Sequence, residues 1–109
     1  MIPSQMLKGI LDSCILQVIQ HKETYGYEIS LQLKEFGFGE ISEGTIYPLL
    51  LRLEKNGLIK AVYRESALGP KRKYFSLTSL GEQELFSFVT QWNELRNAVD
   101  ALNGGYHHE

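Results

Sequence analysis

Apolar residues recur at helical spacing over three stretches in the first half of the chain. Leu7, Ile10, Leu11, Cys14, Ile15, Val18 and Ile19 are three or four residues apart, the pattern of a helix with one buried face. That helix is expected to begin after Pro3, with Ser4 as its N-cap. A second, shorter helix is expected from about Tyr25 to Phe36, with Ile29, Leu33 and Phe36 facing inward and Gly37 ending it. After the Gly37-Phe38-Gly39 break, Ile46, Leu49, Leu50 and Leu53 form a third stripe, closed by Asn56-Gly57. Pro48 lies inside that third helix, just past the first turn where proline is tolerated, so a short irregularity is expected there and not a break.

The period then changes from that of a helix to that of a strand. Leu58 to Arg64 and Lys73 to Leu77 read as two strands. The segment between them, Glu65 to Arg72, is expected to turn at Gly69-Pro70 and to carry a basic tip. The longest element follows. Thr78 or Ser79 is expected to cap it, with Ser79 and Glu82 at the spacing of a capping box. Leu85, Phe88, Trp92, Leu95, Val99 and Leu102 then repeat at intervals of 3, 4, 3, 4 and 3, a heptad seam. Asn103-Gly104-Gly105 stops it, leaving Tyr106, His107, His108 and Glu109 as an expected frayed tail.

The order of helix, helix, helix, hairpin and long helix defines a fold that is mainly α with a small β-hairpin. Two helices joined by a short turn and followed by a basic hairpin make a winged helix-turn-helix, here expected over residues 1–78. Residues 79–103 are the expected dimerisation helix, part of the same compact unit, with 104–109 as its tail.

At 109 residues the chain is the size of one domain. No apolar run approaches the ~20 residues of a membrane span, and no signal-peptide pattern opens the chain. A single cysteine, Cys14, excludes an internal disulfide framework and points to a reducing cytoplasm; it reads as a small buried hydrophobe. The net charge of −2 hides a partition. Residues 42–78 carry Arg52, Lys55, Lys60, Arg64, Lys71, Arg72 and Lys73 against Glu43, Glu54 and Glu65, a net +4. The segments on either side are acidic, at −2 for residues 1–41 and −4 for 79–109. Positive charge confined to the middle third suits a surface that meets phosphate.

On the third helix the face opposite the apolar stripe holds Gly44, Pro48, Leu51 and Lys55, flanked by Thr45, Tyr47 and Arg52. Small and hydroxylated residues near a helix start can approach base edges closely in a major groove. Arg52 and Lys55, further along, suit backbone phosphates. Leu51 is either an ordinary exposed leucine or a contact to a thymine methyl. Lys71, Arg72 and Lys73 suit the minor groove or its phosphates. The heptad seam is too long for a three-helix head to cover, so it implies a partner helix and a symmetric homodimer reading a pseudo-palindromic operator in double-stranded DNA. Trp92 is then either dimer core or one wall of a gap for a flat aromatic effector. No nucleophile, metal-ligand spacing or glycine-rich phosphate loop accompanies His21, His107 or His108. An enzyme, a cofactor and a metal site are therefore not expected. A winged-helix module that binds protein instead of DNA remains the competing reading, and salt-insensitive association with a protein partner would mark it.

At four places these residues resemble the PadR family of bacterial transcription regulators. They are Leu7 to Asp12, Tyr25 to Ile29, Glu43 to Ile59 with its Thr45-Ile46-Tyr47-Pro48 run, and Gly69 to Gly81. The resemblance implies that Thr45, Tyr47 and Pro48 occupy the family's DNA-contacting helix start, and Lys71, Arg72 and Lys73 its wing. It also implies tolerance of proline at 48. The single terminal helix is similar to that of the short-tailed subgroup, whose dimers pack through first and last helices. Members repress genes of detoxification, drug efflux or phenolic-acid metabolism and release DNA on binding a small molecule. Trp92 corresponds to a tryptophan of the drug-sensing branch. Phe75 departs from the tyrosine common at its position.

Overall fold

The computed structural model describes residues 1–66 and 68–104. Five helices and a hairpin follow in order: α1 (Ser4–Leu7), α2 (Leu11–His21), α3 (Gly26–Glu35), α4 (Glu43–Lys55), β1 (Ile59–Ser66), β2 (Gly69–Leu77) and α5 (Ser79–Leu102). Helices α2, α3 and α4 enclose a core in which Ile15, Leu16, Ile29, Leu33, Ile46 and Leu50 are almost fully buried. Ile59 and Phe75 of the hairpin and Leu85 of α5 close it.

The expected first helix is two. A single turn, α1, ends at Leu7, and Lys8-Gly9-Ile10 interrupts the run before α2. Ser4 is the first helical residue; the cap position is Pro3, which has no side chain to bond the free N–H groups. Helix α2 is buried on a wider arc than its stripe suggests, because Leu16 also lies in the core.

Helices α3 and α4 both end on a glycine in the left-handed region. At Gly57 (φ +78°) the chain folds back so that the Leu58 N–H donates to the Leu53 carbonyl and the Gly57 N–H to that of Glu54, and Gly37 (φ +102°) does the same for α3. Phe36, expected inward, is 64% exposed and lies edge-on to His21 instead. It occupies the C-cap of α3, where the chain has already left the helical track.

The hairpin is longer than expected. Ser66 pairs with Gly69, so the chain reverses there, and Gly69 and Pro70 belong to β2. Arg72 and Lys73 lie well along that strand, opposite Arg64 and Tyr63. The basic triplet is thus a stretch of strand and not a loop tip. On the other edge of β2, Thr24 exchanges both backbone hydrogen bonds with Phe75 (3.1 and 2.7 Å), an isolated bridge just before α3.

Thr78 caps α5, its hydroxyl accepting from the Gly81 N–H (3.0 Å) and donating to the Gly57 carbonyl (2.6 Å). The expected Ser79–Glu82 capping box is absent, because Thr78 and not Ser79 holds the cap position.

Candidate nucleic-acid interface

Ser42 starts α4: its hydroxyl accepts from the Thr45 N–H (3.3 Å) and lies 3.2 Å from the Thr45 hydroxyl. From there α4 runs unbroken through Pro48 to Lys55. Proline at 48 leaves the Gly44 carbonyl without its usual donor, but Gly44 lies on the exposed side of α4, where water can satisfy it.

The stripe Ile46, Leu50 and Leu53 is buried, with Leu49 half-buried. Gly44, Pro48, Leu51 and Lys55 form the opposite, exposed face, with Leu51 60% accessible. Thr45 and Arg52 flank it, both exposed. Tyr47 also flanks it but is partly packed, its ring resting on the N-terminus of α3 beside Gly26. Burial, and then the charge of the nearby Glu43 carboxylate, raise the phenol's pKa.

Nothing inside the chain asks for glycine at 44. A Cβ there would meet only the Ser42 hydroxyl, at an ordinary 3.7 Å. Crowding therefore does not require glycine at this second residue of α4.

The cations of the middle segment divide into held and open. Arg52 pairs with Asp12 of α2 (3.4 Å), Lys73 with Glu54 of α4 (3.1 Å), and Arg64 with Glu23 through two nitrogens (2.7–3.2 Å). The Glu23 carboxylate raises the Arg64 pKa still further. Arg72 lies 4.6 Å over the Tyr25 ring, which meets Tyr74 at 5.1 Å, and Arg64 lies 5.9 Å from the Tyr74 ring. This chain of contacts fastens the hairpin to the segment before α3. Lys55, Lys60 and Lys71 form no ion pair among the described residues and are exposed. Arg52 and Lys73, expected among the contact residues, thus each have an acid partner. Those partners lie 40 and 19 positions away, and no local pattern announces them.

The seam on α5 emerges from the head. Leu85 is buried and Phe88 half-buried, but Trp92 (39%), Leu95, Val99 and Leu102 (88%) are exposed in the single chain. Beside it lies a groove of about 680 Å³, walled by Phe88, Trp92 and Leu95 of α5, Ile10 and Cys14 at the start of α2, and Ile2 and Met6. Phe38, Arg96 and Asp100 also line it. Among the described residues no helix is long and apolar enough to cross a membrane, and no group of three His, Cys, Asp or Glu could hold a metal. His107 and His108 lie outside the described residues.

Three helices, the last presenting an exposed face, and a two-stranded wing fastened beside them make a winged helix-turn-helix regulator carrying a long terminal helix. Residues 15–87 match the model of the transcriptional regulator PadR-like family. The chain belongs to that family; it is a transcription regulator and not an enzyme. It is 48% identical to a PadR-like transcriptional regulator from Bacillus cereus, with a TM-score of 0.81 over 90% of this chain and 95% of that one. It is 39% identical to an uncharacterised Lysinibacillus sphaericus protein, over 96% of this chain and 98% of the relative. Bacillus subtilis PadR, solved in complex with operator DNA, is 29% identical with a TM-score of 0.68, over 73% of this chain and 46% of that one.

Proposed function

We propose that this chain is a homodimeric, sequence-specific repressor acting in the cytoplasm, which reads a pseudo-palindromic operator with α4 and the hairpin. The observation that carries the reading is the exposed face of α4. It sets a glycine the fold does not need, Gly44, in line with Pro48, an exposed Leu51 and an unpaired Lys55. Such a face fits a major groove, where small residues allow close approach, Leu51 can meet a thymine methyl and Lys55 a phosphate. Thr45, Tyr47 and Arg52 border the same contact, and Lys71, Arg72 and Lys73 bring the wing to the neighbouring backbone. The structure of Bacillus subtilis PadR with operator DNA supports the assignment by kinship.

Among the described residues Lys55 and Lys71 form no ion pair whose loss would disturb folding. Replacing both by alanine should weaken duplex binding at least about tenfold and flatten the salt dependence by about two phosphate contacts per head. Unchanged binding in a mobility-shift titration would refute the reading.

The seam Leu85, Phe88, Trp92, Leu95, Val99 and Leu102 supplies the dimer contact, and the groove beside it suits a small hydrophobic or aromatic effector that releases DNA. Its apolar lining and the edge provided by Trp92 support this. Trp92 is the chain's single tryptophan, so planar aromatic compounds that bind there should quench its fluorescence and lower duplex affinity together. No quenching across a broad panel would remove the effector from the account.

A further inference from the structure

At the junction of α3 and α4 the ring of Tyr47 occupies the space where any other residue at 26 would carry its side chain. A Cβ on Gly26 would stand 2.7 Å from the Tyr47 Cζ and Oη and 2.9 Å from Cε1, closer than van der Waals contact allows. All three atoms belong to the far end of the ring. Gly26 itself is buried and lies in the first turn of α3. A second tie lies nearby, where the Ser30 hydroxyl of α3 donates to the Ile41 carbonyl (2.6 Å), just before α4. One tie holds the approach to α4 and the other holds its first turns, so together they fix how α4 is rotated against α3.

We propose that Gly26 is a positioning residue for DNA recognition: its missing side chain gives the Tyr47 ring a seat on α3 and keeps that ring off the exposed face of α4. The inference rests on the DNA-reading face proposed above. An aromatic side chain on a helix has two accessible χ1 wells. Blocking the seat on α3 leaves the ring to turn toward solvent, beside Gly44 and Pro48, where the groove edge would come. Tyr47 is half-exposed and can move without opening the core, so an added methyl group acts on recognition before it acts on folding.

The test is a two-by-two set, Gly26→Ala with Tyr47 or Tyr47→Leu, measured on a duplex that the wild-type chain selects from a random-sequence library. Leucine is too short to place atoms where the three colliding ones lie. Gly26→Ala should lower affinity at least about tenfold with the melting temperature nearly unchanged, and should cost less than about threefold on the Tyr47→Leu background. If Gly26→Ala instead fails to fold, the double variant should recover folding. Wild-type affinity in Gly26→Ala would overturn the proposal, as would an equal penalty on both backgrounds or a double variant that does not recover. A wild-type chain that enriches no duplex would remove the DNA reading itself, a result distinct from any of these.

Discussion

At Gly81 the first turn of α5 approaches the carbonyl of Leu58 so closely that a Cβ would lie 2.1 Å from its oxygen. Backbone cannot swing aside as the Tyr47 ring can, and the same turn holds the Thr78 cap that joins α5 to the end of α4. Gly81→Ala should therefore destabilise the fold by at least about 3 kcal/mol. That loss would lower the melting temperature by about 10–20 °C for a domain of this size, and a thermal melt within about 2 °C of wild type would contradict it. Cys14 shows the opposite situation, a residue whose role was legible. Burial and then the nearby Asp12 push its thiol up to about 11, so it stays protonated at neutral pH and acts as the small hydrophobe its place in the stripe suggested. The exposure of Leu51 was legible too, since helical periodicity assigns faces. Gly26, Gly81 and the acid partners of Arg52, Arg64 and Lys73 were not, because each depends on a contact between residues far apart in sequence.

Among the elements, α3 and α4 were read nearly to the residue because Gly37 and Gly57 mark their ends by a conformation that other residues rarely adopt. The first helix was read as continuous because a three- and four-residue rhythm survives a one-turn interruption; Leu7 and Leu11 stay buried on both sides of it. The hairpin was read too short because Gly69-Pro70 normally punctuates a chain. Proline is tolerated there because it lies where the register with β1 shifts, between the Arg64–Arg72 and Ser66–Gly69 pairs, so it interrupts no regular ladder. The consequence is functional. Arg72 and Lys73 are fixed along a strand by Tyr25 and Glu54, and Lys71 is left as the freely presented cation of the triplet.

On the scale of the whole molecule the chain measures 53 × 29 × 22 Å, elongated because the second half of α5 runs clear of the head. The same helix that anchors in the core at Leu85 exposes Trp92, Leu95 and Val99 beside an apolar groove. An exposed apolar surface of this kind marks a place of interaction. The heptad spacing made the seam legible in the sequence; what meets it is a second copy in the account given above. The most direct test of that account is the mass and salt dependence of the complex formed on a selected duplex, followed by analytical ultracentrifugation over a series of salt concentrations. The account predicts two protomers on one site. It also predicts that log K falls with log salt at a slope of about −3.6 or steeper, from Lys55 and Lys71 of each head. A single protomer on the duplex, or binding indifferent to salt, would contradict it.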